Sequence, residues 1–290
     1  MSTSFLRNIM VGCLPLLLCI LISCSKEASL TPDEIPDFYT LPQGHQPYDD
    51  SIVAFHQQYG SYILYQFSQK DLTYNYNSYL PMTFGPANPA WISNAISYFK
   101  SECLNYYPES FLQKTMPFKI LLAAYFDSSY SYGSVLIPIG RALTGFSAVR
   151  GALGIGWADS TLSQQSPTRL KQLRGFVHRA YMQQALLSGA LEVPDEFRKY
   201  LPVGGGYNNP GNATNGLIEG NPLGATNRDV AWDFSSYVCA ITGNTKAELD
   251  ATILKPSYDT QGLIRAKYAI VINFFKNNYG VDLQAIGNHP

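Results

Sequence analysis

Charge is scarce in this chain. Asp, Glu, Lys and Arg make up 14% of its 290 residues, where about a quarter is usual. Neither sign prevails, with 20 basic and 21 acidic side chains, so the basic face that a nucleic-acid partner needs is not expected. Cysteine is sparse as well. Of the five, Cys13, Cys19 and Cys24 lie near the N-terminus, while Cys103 and Cys239 stand far apart. No CxxC pair offers a cysteine zinc site. There is no GxSxG, no P-loop, no GxGxxG opening a helix and no internal repeat, so the usual serine-hydrolase and nucleotide-binding signatures are missing. Long apolar runs are lacking except at the start. Ile9 to Ile22 is apolar but broken by Gly12 and Pro15, and it falls short of the roughly 20 residues that a membrane-spanning helix needs.

What stands at that end reads as a leader. Arg7 is the only charge before Lys26, the apolar run fits a signal-peptide h-region, and Leu21-Ile22-Ser23-Cys24 matches the lipobox. Residues 1–23 are therefore expected to be a lipoprotein signal peptide, and Cys24 to carry a diacylglyceryl thioether and an N-acyl chain such as palmitate. Several chains anchor stably, because each buried CH₂ contributes about 0.8 kcal/mol. Cleavage leaves 267 residues with 19 basic and 21 acidic side chains. Residues 24–37, polar with two prolines, read as a flexible tether, and 38–290 as a single domain. The expected location is the outer membrane, on its periplasmic or cell-surface side, with membrane lipid engaged through Cys24. Cys24-Ser25-Lys26-Glu27 partly resembles the basic-then-acidic signal of Bacteroidetes surface lipoproteins.

Apolar residues make up 46% of the chain and tyrosine alone supplies 21 positions, so the surface should be polar but largely uncharged. Tyr62 to Phe67 is aromatic and β-branched, which predicts a strand. Pro89 to Tyr106 places Ile92, Ile96, Phe99, Cys103 and Tyr106 at helical spacing. Phe118 to Phe126 is a continuous apolar run, suited to a central strand covered on both sides. Short β-like pieces follow at Ser134–Ile137 and Gly151–Trp157. Ser166-Pro167 opens a helix with proline at its first position; Leu170, Leu173, Val177, Ala180 and Leu187 mark its apolar stripe, and Gly189 lies near its end. Val203 to Thr226 is a long Gly/Asn-rich loop, and Asn227 to Ile241 is helical by pattern. Thr245 and Glu248 have capping-box spacing. A last amphipathic helix carries Leu263, Ile264, Tyr268, Val271, Ile272 and Phe275 and stops near Gly280. Cys103 and Cys239, each on the apolar face of its helix, read as buried thiols rather than a disulfide. Strands early and helices late predict an α+β domain.

The helix around His178 carries a resemblance. Together with Pro194-Asp195-Glu196-Phe197, the segment Asp229-Val230-Ala231-Trp232 with Tyr237, and Gly280-Val281-Asp282-Leu283, it resembles the zinc-binding metallopeptidase-like lipoproteins of Bacteroidetes, an HExxH family. The likeness runs from about Tyr59 to Leu283 in order and spacing. It implies a zincin-like metallopeptidase domain with a small mixed sheet and a mainly helical C-terminal half. HExxH works because two imidazoles one turn apart bind the same Zn²⁺ while the Glu takes a proton from the bound water. Here those positions read His178-Arg179-Ala180-Tyr181-Met182. The general base is replaced by Arg179, a permanent cation. The second ligand is Met182, whose thioether suits Zn²⁺ poorly, and the third, a Glu in the family, aligns with Trp232. The motif is vestigial, so neither zinc nor any other cofactor is expected and no catalytic residue is assigned. His178 then reads as a hydrogen-bonded core histidine, and Met182 as a filler of the old ligand pocket. Asp229 reads as a helix cap and Asp233 as solvated.

Three functions compete. The first is a non-catalytic surface lipoprotein that binds a peptide or glycan on the degenerate scaffold. Tyr74, Tyr76 and Tyr79, alternating with Asn75 and Asn77, are the candidate ligand-stacking residues. The second is an active zinc hydrolase with non-standard ligands, and the third a subunit of an outer-membrane uptake complex.

Overall fold

A 14-residue strand organises the sheet because both of its halves find partners. In the computed structural model, which describes residues 38–73, 82–132, 135–141, 144–200, 213–218 and 230–290, strand β3 (Lys119–Tyr132) follows β1 (Tyr62–Leu64) and β2 (Met82–Pro86). After it come β4 (Val135–Arg141), β5 (Phe146–Val149) and β6 (Ala152–Ile155). The first half of β3 lies between β1 and β6, parallel to both, and β5 closes the edge antiparallel to β6. Its second half is gripped antiparallel by β2 and β4. Ile120, Leu121, Leu122 and Ala123 are at most 1% exposed, as a continuous apolar run in a covered parallel strand requires.

The β1 strand is shorter than its sequence suggests, and Gln43 is the reason. Its side-chain carbonyl accepts the backbone N–H of both Tyr65 and Gln66, and its amide donates back to the Gln66 carbonyl. Those amides are thereby withdrawn from any sheet ladder. The apolar run around Gly151 resolves into a hairpin, with Gly151 at φ +74° turning β5 into β6.

Helices flank the sheet along most of the chain rather than only late in it. They are α1 (Asp49–Tyr59), α2 (Gln69–Thr73), α3 (Ile92–Glu102) and α4 (Glu109–Thr115), then α5 (Pro167–Ser188), α6 (Asp195–Arg198), α7 (Val230–Gly243), α8 (Lys246–Ala251), α9 (Leu263–Tyr279) and α10 (Leu283–Asn288). The architecture is α+β, a small mixed sheet with a mainly helical C-terminal half. The longest helix, α5, starts and stops where its sequence dictates. Ser166 accepts the Arg169 amide, Pro167 takes the first position, and Gly189 adopts φ +78° at the end. Both halves of the capping box at Thr245 and Glu248 are formed.

The chain from Thr40 to Pro290 forms one unit around a single apolar core. Burying a large apolar side chain such as Phe99, Phe197 or Phe275 there contributes roughly 1.5–3 kcal/mol. Leu170 and Leu187 are only half-buried, whereas Leu173, Val177, Tyr181, Met182 and Ala185 are inaccessible, so α5 is enclosed on a wider face than one stripe. It crosses α7 at a glycine pair. A Cβ on Gly175 would stand 2.6 Å from the Cys239 carbonyl oxygen and 3.0 Å from the Gly243 Cα. Only backbone meeting backbone allows that approach. Residues 1–37 with Cys24, Tyr74, Tyr76, Tyr79, Asp229 and most of the Val203–Thr226 loop lie outside the described residues.

Candidate functional site

The α5–α7 joint puts the four positions that the resemblance assigns to the motif, His178, Arg179, Met182 and Trp232, in an environment set by aromatic rings. His178 faces α3 and the segment after it and is fully buried. Its Nδ1 is 2.6 Å from the Tyr107 hydroxyl and 4.0 Å from Cys103 Sγ. Burial raises the Tyr107 phenol well above its ordinary value, so it stays protonated and shares a hydrogen bond with Nδ1 whose direction the imidazole tautomer sets. Burial also pushes the imidazole down to about 3; the Glu102 backbone carbonyl favours the charged ring and the Arg174 guanidinium opposes it. The ring is therefore neutral near pH 7. Nε2 is buried and makes no hydrogen bond of ordinary geometry among the described residues. A core histidine held by hydrogen bonding is what the structure contains.

One turn earlier, Arg174 ties three segments together. Its Nε lies 2.7 Å from Glu102 Oε2, and its terminal nitrogens donate to the carbonyls of Ile286, His289 and Pro290. This brings His289 close to the site despite its distance in sequence: the Tyr106 ring stands 5.8 Å from His178 and 6.4 Å from His289.

On the other side of α5, Arg179 is half-buried, with its guanidinium 5.3 Å from the Phe176 ring and 4.8 Å from the Trp232 ring of α7. Arg179 and Trp232 thus pack on each other as a cation–π pair. Met182 is fully buried and fills core space, as an unbranched thioether readily does.

Asp233 corrects the sequence reading. It is 2% exposed, not solvated, and Lys267 Nζ lies 2.6 Å from its carboxylate. The ammonium also donates to the Gly216 carbonyl, which the Tyr237 hydroxyl reaches at 2.7 Å, and it sits 5.0 Å from the Phe197 ring. Burial lowers the Lys267 ammonium while Asp233 pulls it back up. The sequence held a signal for this pair. Lys267 stands three residues after Ile264 and four before Val271, on the buried face of α9.

These side chains do not fit Zn²⁺. His178 has one nitrogen committed to Tyr107 and no access to water, Met182 is a soft thioether, and Trp232 offers no lone pair in its plane. A guanidinium stands where the proton acceptor is needed. Among the described residues no three His, Cys, Asp or Glu side chains gather as a metal requires. Cys103 and Cys239 are buried thiols outside any disulfide, as their helical positions suggested, and burial raises the Cys103 thiol well above its ordinary value.

No family model and no curated protein sequence matches the chain. A solved structure does match: a Bacteroides caccae protein described as a "putative zinc-binding metallo-peptidase", with 14% identity over 82% of this chain and 88% of that one, at a TM-score of 0.50. The fold of this chain is therefore metallopeptidase-like, and the sequence resemblance implies that His178, Arg179, Met182 and Trp232 stand at the motif positions.

Proposed function

We propose that the protein is a membrane-anchored lipoprotein, held through Cys24, whose metallopeptidase-like domain is non-catalytic and acts in binding or as a subunit of a larger assembly. The observation that carries this reading is the Arg179–Trp232 pair. A peptidase of this fold must present a proton acceptor and a metal ligand at those two positions. Here they present a cation and an indole ring 4.8 Å apart. The lipobox supports the anchoring, and the uncharged, tyrosine-rich composition suits recognition of neutral partners.

The test is metal analysis of the purified full chain in detergent, followed by zinc titration monitored by thermal melting. Zinc is expected below stoichiometric amounts, with no rise in the melting midpoint beyond that of a His178→Ala control. Stoichiometric zinc that is lost in His178→Ala overturns the reading in favour of a hydrolase with non-standard ligands. Mass spectrometry of the N-terminal peptide tests the anchor, and an unmodified Cys24 would remove it.

A further inference from the structure

Residues 286–290 pass beside the Tyr106 wall of the His178 compartment, and one side chain fastens them. Arg174 is 4% exposed, and four of its five N–H groups are in use. Nε bonds Glu102, one terminal nitrogen bonds the carbonyls of Ile286 at 3.2 Å and His289 at 2.7 Å, and the other bonds the Pro290 carbonyl at 2.8 Å. A planar guanidinium fixes the direction of each bond, so the three carbonyls must be presented together.

Burial stops short of that end. Leu283 and Ile286 are buried, and a Cβ on Gly287 would collide with the carbonyl oxygens of Ile241 and Asn244. Asn288, His289 and Pro290 are exposed. Besides Arg174, the bonds that hold them run from the Lys246 amide and the Gln284 side chain to Asn288, and from the His289 amide to the carbonyls of Ala285 and Ile286. Those bonds are polar and lie at the surface. A segment with few buried apolar contacts opens at a far smaller free-energy cost than the whole domain. Gly287 marks the boundary between the docked part and the part that lifts. Behind it, the half-buried Tyr106 ring stands 6.4 Å from His289 and 5.8 Å from His178. His178 and Cys103 are both 0% exposed. His178 Nε2 has no hydrogen-bond partner among the described residues, which is costly for a buried polar atom.

We infer that residues Asn288–Pro290 are a latch. Fastened on Arg174, they keep His178 and Cys103 dry; released, they admit water to that compartment while the domain stays folded. The open state gives up the bonds from Arg174 and gains hydration of the freed carbonyls and of His178 Nε2. Glu102 makes release feasible. It stays paired with Arg174 in both states, so the cation is not left alone when the latch lifts. The latch works in the same way whether or not the domain binds a partner elsewhere.

Iodoacetamide alkylation of the full chain in detergent, read peptide by peptide in a mass spectrometer, tests it. Cys239 is the reference. It is the more exposed thiol, 7% against 0% for Cys103, so static exposure predicts that it reacts first. The latch predicts the reverse. In urea below the onset of unfolding, Cys103 should react at least about tenfold faster than Cys239. Arg174→Gln should raise the Cys103 rate at least about tenfold without urea and leave Cys239 slow. Arg174→Lys keeps the charge beside Glu102 but lacks the fork, so it should behave like Arg174→Gln. If neither variant folds, the urea series on the wild type decides alone. A Cys103 rate at or below that of Cys239 throughout that series overturns the inference, as does a Cys103 rate in Arg174→Gln equal to that of the wild type. Full restoration by Arg174→Lys overturns it too, since charge alone would then suffice. So does equal acceleration of both thiols in Arg174→Gln, which is loss of the fold and not release of a latch.

Discussion

Lys267 and Asp233 form an ion pair of 2.6 Å in which neither side chain reaches solvent. A buried pair of this kind contributes little net stability when intact, but it is costly to break on one side. Lys267→Met should therefore cost about 3–5 kcal/mol, because Asp233 is left charged and buried. The double variant Lys267→Met with Asp233→Leu should recover most of that loss. Urea unfolding of the wild type, the single variant and the double variant checks this. Equal losses in the single and double variants would show that coupling between the two charges is not the cause.

The protein should also lose stability in mild acid through His178. Its folded-state value is depressed to about 3, whereas the unfolded side chain titrates near 6.5. Between those values the unfolded chain binds the extra proton, so the contribution is complete above about pH 6.5 and is lost as pH falls toward 3. From pH 7 to pH 5 the loss assigned to His178 is about 2 kcal/mol. The difference in pH dependence between wild type and His178→Gln, measured by urea unfolding, isolates it from the carboxylates. Parallel curves would mean that His178 becomes charged in the folded protein.

At the α5–α7 crossing, Gly175→Ala should destabilise. Helix propensity alone predicts a gain of up to about 1 kcal/mol for replacing a mid-helix glycine. Overpacking predicts a loss of roughly 1–3 kcal/mol or more, since the new Cβ would stand 2.6 Å from a backbone oxygen. The sign of the change in chemical denaturation decides between the two.

Cys103 and Cys239 should resist maleimide in the native state and react once the protein unfolds, with no bridge visible in non-reducing mass analysis. Both thiols are buried and outside any disulfide, and only the exposed thiolate reacts. Prompt labelling of either in the native protein would show that α3 or α7 opens locally.

Elements whose limits depend on neighbours in the chain were legible in the sequence. Proline at the first turn and glycine at the end bounded α5, Thr245 and Glu248 announced α8, and the apolar run after Pro117 marked β3. What escaped depended on partners distant in the chain. The β1 strand stops early because Gln43, 22 residues before Tyr65, takes its amides. Asp233 looked solvated because Lys267 is 34 residues away. His289, at the end of the sequence, reaches the neighbourhood of His178 only through the grip of Arg174 on the last carbonyls. At the site, the chemistry of single positions was readable: a cation, a thioether and an indole are poor company for Zn²⁺. Their use of one another, Arg179 on Trp232, appears only when α7 lies against α5.

The Gly175–Gly243 crossing has a consequence for how such a scaffold changes over time. A joint closed by main chain against main chain is mechanical, and it asks nothing of the side chains one turn further on. Positions 178, 179 and 182 can change while the hinge pin stays in place, so the frame and the side chains it carries are free to vary separately.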